Sequence, residues 1–215
     1  SGGARHTATG VMLGSVRDAE FDANVPLDGT GDDITGASDD EDGVTSVLTF
    51  TEGVASSISV DHSASGTLDI WIDTDGSGTF DAIEKTSVTV VGAGTAVVPF
   101  TAHAGSAAAT SGSTYARFRI NSGGSLGPAG PAADGEVEDY RITITPPAVV
   151  ESIIINHGDP QRSLVDHVRA TIDRVVSIQG DPFQFTKADT GEVVAHAAVV
   201  SEAGGKTVID FSFPS

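Results

Sequence analysis

The sequence predicts an all-β fold, arranged as two consecutive β-sandwich modules of the jelly-roll or Ig-like type. Short stretches rich in β-branched residues recur along the 215-residue chain, and Gly, Ser and Asp fill the gaps between them, as in a sandwich that turns about every ten residues. Within "YRITIT", Tyr140, Ile142 and Ile144 share one face, because successive side chains of a strand point to opposite sides. We therefore expect each strand to bury one face.

Seven stretches of this kind precede Pro146: "VTSVLTF", "VASSISV", "TLDIWID", "TSVTVV", "TAVVPF", "YARFRI" and "EDYRITIT". In "TLDIWI", alternation places Leu68 and Ile70 toward a core and Asp69 and Trp71 on the opposite side. An exposed Trp71 would favour a glycan-binding surface, since sugar sites use exposed aromatic rings. The chain has one Trp and two Tyr in all, which favours a structural role.

Charge excludes several partners. The chain has 30 acidic and 11 basic residues, a net charge of −19. Residues 1–147 hold 21 acidic and 6 basic residues, a net −15, whereas residues 148–215 hold 9 and 5, a net −4. Such a surface repels nucleic acid and suits cation binding or simple solubility. No run of about 18 apolar residues is present, so we expect no membrane insertion.

The segment from Asp73 to Glu84 has the ligand spacing of a twelve-residue calcium loop. The predicted Ca²⁺ ligands are Asp73, Asp75, Ser77, the Thr79 carbonyl, Asp81 and Glu84. Gly78 stands where the chain must turn sharply. No helix pattern flanks the loop, so we expect structural calcium rather than a sensor that changes a helix angle. The alternative is a solvated hairpin that only turns the chain.

A second acidic run extends from Asp18 to Val44 and contains ten carboxylates in its first 25 residues. Such a run is usually solvated or disordered. Further along, Glu136 and Glu138 share a face with Tyr140, which is costly for a carboxylate without a cation or donors. A second calcium site can be built from Asp39, Asp40 or Asp42 together with Glu138 or Asp139. Alternatively, these acids bind backbone N–H groups or Arg117, Arg119 or Arg141.

Three motifs, "GDDITGASDDEDGV", "IWIDTDGSGTFDAIEK" and "DGEVEDYRITI", occur in that order. Together they resemble the GEVED domain, over about residues 10–146. The resemblance implies a large secreted or cell-surface bacterial protein and a role in adhesion or scaffolding rather than catalysis. The family commonly has Asp where this chain has Ser77, which removes one carboxylate from the calcium loop.

Pro146-Pro147 ends the first set of strands, because a proline pair cannot continue a central strand. We place the domain boundary there, giving modules 1–147 and 148–215. The second is similar to the start of a β-sandwich module of bacterial surface proteins, and "DHVRATID" within it is predicted to be a strand. It is either a compact six-stranded domain or one that lacks its closing strand, which would leave an edge open to another chain. Because residue 1 is not methionine, we expect a portion of a longer protein.

No catalytic constellation is predicted. The G-x-S-x-G match at residues 123–127 is followed by "GPAGPAADG", which cannot form the helix of a nucleophile elbow. The six histidines lack zinc spacing, although His157 and His167 could meet in space. The expectation is a calcium-stabilised scaffold that assembles with copies of itself by strand addition or end-to-end contact. The alternative is an adhesion module that binds a glycan or a surface protein.

Overall fold

The structure of the chain, a computed structural model, describes residues 3–17, 42–103, 112–160 and 164–214. These residues form two compact units, 1–147 and 148–215. Both are built from strands, and the described residues contain two short 3-10 turns but no α-helix. No helical segment among them has the length and apolar character to cross a membrane. The predicted all-β class is confirmed.

The described residues of the first unit form nine strands. They are β1 (Ala4–His6), β2 (Thr49–Thr51), β3 (Ser56–His62), β4 (Gly66–Ile72), β5 (Lys85–Val90), β6 (Gly94–Phe100), β7 (Thr114–Asn121), β8 (Gly130–Ala132) and β9 (Glu136–Thr145). A five-stranded sheet has the order β2-β9-β7-β4-β5, and β3 pairs with β6 in a second sheet. β1 and β8 form a short parallel pair. The seven stretches predicted before Pro146 all contain strands, whereas β1 and β8 were not predicted.

The core of this unit lies between the five-stranded sheet and the β3-β6 pair. Ile58 and Val98 from the pair belong to one buried cluster with Ile70, Phe118 and Ile142 from the larger sheet. Phe118 also meets Tyr140 edge to face, with ring centroids 5.4 Å apart. This arrangement of two facing sheets is that of a β-sandwich.

The five-stranded sheet is buried on both faces at β4 and β7, which corrects the expectation of one buried face per strand. Asp69 is 0% exposed and Trp71 is 1% exposed, although both point away from the core. The segment 125–130 lies over this second face: Leu126 N–H donates to Asp69 at 2.6 Å, and Arg117 donates to the Pro128 carbonyl at 2.7 Å. Sequence alternation cannot reveal this cover, because the covering segment is an irregular loop.

In the second unit, the part of the chain that the structure describes forms six strands. They are β10 (Val150–Ile155), β11 (His167–Ile172), β12 (Phe185–Thr186), β13 (Val193–Val194), β14 (Ala197–Ala203) and β15 (Lys206–Ser212). An antiparallel sheet has the order β10-β11-β15-β14, and β12 pairs with β13. Ile209 and Phe211 on β15 are buried, and Phe211 packs edge to face on Phe183 and Phe185. The predicted strand in "DHVRATID" is confirmed as β11.

Candidate functional site

The segment from Asp73 to Glu84 connects β4 to β5 at one end of the five-stranded sheet. Asp73 directly follows β4, and its backbone is attached to β7: its N–H donates to the Tyr115 carbonyl at 3.0 Å, and the Thr114 hydroxyl donates to its carbonyl at 2.6 Å. At the other end, Glu84 closes a 3-10 turn, Ala82–Glu84, and β5 begins at the next residue. Both ends of the loop are therefore fixed by strands.

Three carboxylates converge inside this loop. One oxygen from each of Asp73, Asp75 and Glu84 lies within 4.8 Å of the others. Glu84 is held by backbone donors: Thr74 N–H at 2.7 Å and Asp81 N–H at 3.0 Å. Asp73 is 3% exposed. Such a group of hard oxygen donors in a small volume is what a Ca²⁺ ion requires.

The remaining predicted ligands line the same loop. Ser77 N–H donates to both Asp73 (3.0 Å) and Asp75 (2.9 Å), and the Ser77 hydroxyl donates to the Thr79 carbonyl at 3.2 Å. Gly78 has a φ of +76° and its N–H donates to Asp73 at 2.9 Å, which fits the predicted sharp turn. Asp81 contributes its backbone to the Glu84 turn, and its carboxylate is not one of the three that converge among the described residues.

The electrostatics of this loop are set by two neighbouring carboxylates, Asp73 and Asp75. Burial raises the pKa of Asp73, and its proximity to Asp75 raises it further. In contrast, hydrogen bonds from Ser77 lower the pKa of Asp75. The negative charges of these two neighbouring carboxylates therefore repel each other, and a bound cation would reduce that repulsion. The donor set fits Ca²⁺ or a similar hard cation, and water or backbone carbonyls would supply the oxygens that the three carboxylates do not.

The string Gly135–Asp139 lies at the start of β9, on the far side of β7 from the loop. Gly135 has a φ of +95°, and a Cβ there would stand 1.8 Å from the Ile120 carbonyl oxygen. Only glycine fits this position. Val137 packs with Ala4 of β1 in a small buried cluster of its own.

Glu136 and Glu138 face the core side of the sheet, as alternation predicted, and both are at most 2% exposed. Glu136 accepts a hydrogen bond from Leu13 N–H at 2.6 Å. Glu138 accepts from Gly43 N–H at 3.1 Å and from the Tyr140 hydroxyl at 2.9 Å. Burial raises the pKa of Glu138 to about 8. These glutamates hold the two described chain segments 11–17 and 42–44 against the sheet.

The other acids of the predicted second calcium site also meet protein donors. Asp139 forms a buried two-fold ion pair with Arg117, with N–O distances of 2.8 and 2.7 Å. Asp42 accepts from the Ser15 N–H and hydroxyl. Asp39 and Asp40 lie outside the described residues. Among the acids described, only Asp73, Asp75 and Glu84 form a group of three spaced for one cation, so the second site stays a prediction.

A buried charged network on the second face of the sheet was not predicted. Asp69 pairs with Lys85 at 3.0 Å, and Lys85 Nζ lies 4.7 Å from the centre of the Trp71 ring. Arg119, which is 0% exposed, donates to His6 Nε2 at 3.0 Å and to the Gly127 carbonyl at 2.6 Å. The signal available in sequence was that Asp69, Arg117 and Arg119 occupy the non-core positions of two strands. Their pairing depends on the strand register, which alternation does not give.

Two sequence candidates for chemistry can now be placed. Ser125, from the G-x-S-x-G match, accepts a hydrogen bond from Lys85 at 2.7 Å. Because Lys85 also forms the ion pair with Asp69, it is a donor to Ser125 rather than a base. His157 and His167 do meet: their rings stack at 4.0 Å with an interplanar angle of 16°. Lone pairs of imidazole lie in the ring plane, so two parallel rings do not converge on one metal ion.

A comparison with protein families finds one family model that matches part of the chain. Residues 67–143 match the family model of the GEVED domain, a range that runs from β4 through the 73–84 loop to the Gly135–Asp139 string and into β9. No curated protein matches the chain. The resemblance stated from sequence is confirmed for the matched residues, and the chain contains a GEVED domain.

Proposed function

We propose that residues 73–84 bind one Ca²⁺ ion and that the ion stabilises the first unit as a structural module of a bacterial extracellular or cell-surface protein. The observation that carries the proposal is the convergence of Asp73, Asp75 and Glu84, whose oxygens lie within 4.8 Å of one another. Asp73 and Asp75 come from the start of the loop and Glu84 from its end. An ion bound to all three would join the end of β4 to the beginning of β5.

The strands that hold the loop support a structural rather than a switching role. The backbone of Asp73 is attached to β7 by one bond to the Tyr115 carbonyl and one from the Thr114 hydroxyl, so its position does not depend on a movable helix. A calcium sensor changes the angle between two helices, and no such pair flanks this loop. Calcium bound only by the folded state stabilises it by RT ln(1 + [Ca]/Kd), about 2.7 kcal/mol at a hundredfold excess over Kd.

An extracellular setting would supply the ion. The GEVED domain implies secreted or cell-surface proteins, where millimolar calcium fills even the weaker sites of extracellular modules. The net charge of −15 in residues 1–147 also favours cation binding, because it raises the local cation concentration. The proposal assigns no catalytic role to the chain.

Assembly with copies of itself is the second part of the proposal. In the second unit, β14 is an edge strand that pairs with β15 alone among the described strands, and all seven of its residues are exposed. Its sequence, "AAVVSEA", contains no proline and no lysine, the residues that commonly protect sheet edges. Strand addition at β14 is the route that this edge supports.

The adhesion alternative has less support. Trp71, the ring that a glycan site would use, is 1% exposed and lies under Lys85. It offers no stacking surface to a sugar. A glycan or surface-protein ligand would therefore need a platform other than this residue.

Titration calorimetry of the metal-stripped chain with CaCl₂ tests the calcium site. We expect binding at the loop, and we expect Asp75→Ala to weaken it by at least about tenfold, because a ligand oxygen is lost. Asp189→Ala, which removes an exposed acid from the second unit, is the matched control and should bind as the parent does. Equal affinity of the two variants would rule out the loop as the site.

A further inference from the structure

The N-terminal strand β1 is attached to the first unit by few contacts. Its three residues pair in parallel with β8, and Gly130 N–H donates to the Gly3 carbonyl at 3.0 Å. Ala4, which is 0% exposed, packs on Val137. His6 is 8% exposed, and directly after β1 the Thr7 N–H donates to the Ala132 carbonyl at 3.3 Å. Release of β1 would therefore break one short ladder and free one histidine.

His6 is held between a donor and an acceptor, which defines its tautomer. Arg119 Nε–H donates to His6 Nε2 at 3.0 Å, so Nε2 carries a lone pair. His6 Nδ1 lies 2.8 Å from the Asp134 carbonyl and must therefore carry the proton. A protonated His6 cannot accept the hydrogen bond from Arg119. It would instead place a second positive charge beside a fully buried guanidinium.

We propose that His6 is an acid-sensitive latch: its protonation releases strand β1 from β8 while the sandwich beneath stays folded. The proposal does not rest on calcium binding. It uses a buried histidine that has no part in the 73–84 loop and lies on the other face of the sheet from the core.

Three charged groups act on the imidazole of His6: two cations disfavour its protonation and one carboxylate favours it. Arg119 from β7 and Arg17 from the segment before the sandwich are both cationic and disfavour a charged imidazole. Asp134, from the turn before β9, favours it, but hydrogen bonds from Ser122 lower the pKa of Asp134. These hydrogen bonds favour the charged form of the Asp134 carboxylate.

The linkage gives the pH range of release. Burial lowers the pKa of His6 to about 4 from 6.5. The docked strand thus prefers neutral His6, and this preference is lost as the pH falls from 6.5 through 4. The ratio of released to docked β1 is expected to rise about 200-fold between pH 7 and pH 3, the factor set by these two pKa values.

Residue-resolved NMR of the full chain tests the latch. Backbone amide signals of residues 4–7 and 130–132, and the His6 ring signals, are followed from pH 7 to pH 3 at constant CaCl₂. We expect the β1 and β8 signals to move to their unpaired positions as His6 protonates, while signals of Ile70 and Phe118 in the core remain. Docked β1 signals that persist after His6 has protonated would overturn the proposal.

The matched variant is His6→Gln, because glutamine can accept from Arg119 and donate to the Asp134 carbonyl but does not titrate. It should keep β1 docked to a pH lower by about one unit or more. His62→Gln, which changes another buried histidine in β3, should release β1 as the parent does. Release at the same pH in the parent and in His6→Gln would overturn the proposal, since acid would then act elsewhere. If His6→Gln does not fold, the NMR titration of the parent chain still tests whether β1 is released when His6 protonates.

Discussion

Gly135 is the first residue of the Gly135–Asp139 string, and the backbone around it requires glycine at this position. The strand β9 starts under the carbonyl of Ile120, and a Cβ at position 135 would stand 1.8 Å from that oxygen. The positive φ of +95° adds strain for any side chain. No movement of a flexible side chain can relieve this contact, because the obstructing atom belongs to the backbone of β7.

We therefore expect Gly135→Ala to destabilise the first unit by about 3 kcal/mol or more. Gly92→Ala is the control: Gly92 also has a positive φ, +70°, but a Cβ there meets nothing within 4 Å. It should cost about 1 kcal/mol, the strain alone. Urea unfolding of both variants measures the difference, and equal losses would show that the Ile120 contact is not what requires glycine.

Glu138 is expected to make the first unit less stable as the pH rises. Burial raises its pKa to about 8 from 4.5. The folded state therefore favours the protonated acid, and the resulting stability is present below pH 4.5 and lost as the pH rises through 8. Glu138→Gln keeps the side-chain shape without the titration. In chelator, it should flatten the fall in unfolding free energy between pH 5 and pH 9.

Glu52→Gln is the control for Glu138→Gln, since Glu52 is only half-buried. The same pH series is measured on this variant. If Glu138→Gln and the parent show the same slope between pH 5 and pH 9, then Glu138 is ionised in the folded protein at neutral pH and the expectation is wrong.

Residues of the site differed in how far the sequence predicted them. The ligand spacing correctly predicted that the carboxylates of Asp73, Asp75 and Glu84 converge. A loop of twelve residues is short enough for its sequence spacing to determine which side chains meet. The face of Glu136 and Glu138 also followed from alternation. Their partners, Leu13 and Gly43, did not, because these contacts join residues about a hundred positions apart. His6 carries no local signal and gains its role only through Arg119.

At the scale of the elements, β4 and β7 were predicted as strands but not as strands buried on both sides. The apolar positions of "TLDIWI" identify the core face. The second face depends on residues 125–130 and on β1, neither of which has a strand-like sequence pattern. The strand β1 has three residues and β8 is "GPA", and strands of this length show no periodicity.

The buried pair between β7 and β9 provides a prediction for these elements. Arg117 is 4% exposed and donates twice to Asp139. Arg117→Met would leave that carboxylate buried without its cation, and we expect a loss of about 3–5 kcal/mol in unfolding free energy. Adding Asp139→Leu should recover most of it, because the unpaired charge is then gone.

Arg169→Met is the matched control for Arg117→Met. Arg169 also donates twice to an aspartate, Asp210, but its side chain is 45% exposed. Surface pairs of this kind contribute about 0–1 kcal/mol. Chemical unfolding measures the unfolding free energy of both variants. A loss for Arg117→Met as small as that for Arg169→Met would contradict the expected contribution of the buried pair.

The edge strand β14 gives the element-scale test of assembly. Val199 is 65% exposed on this strand, and a lysine there should block strand addition by another copy. We expect Val199→Lys to abolish concentration-dependent association in sedimentation velocity. Val54→Lys, at a 51% exposed position of the first unit, should associate as the parent does. A parent chain that stays monomeric at high concentration would contradict assembly through this edge.

At the scale of the whole molecule, the two units differ in charge and in what supports them. The first unit carries the net −15, the candidate calcium loop and a core that spans two sheets. The second has a net −4 and a smaller buried set centred on Ile209 and Phe211. A bound cation is therefore expected to act on the first unit alone. Composition predicted this asymmetry of charge, whereas the extent of each core required the strand pairings.

Differential scanning calorimetry of the metal-stripped chain, with and without 2 mM CaCl₂ (about the extracellular level), is the most direct test of the central claim. We expect calcium to raise the unfolding temperature of the first unit by several degrees, as about 2–3 kcal/mol of binding energy implies for a domain of this size. Asp75→Ala should lose most of that rise, and Asp189→Ala should keep it. An unfolding temperature that calcium leaves unchanged in the parent chain would contradict a calcium-stabilised module.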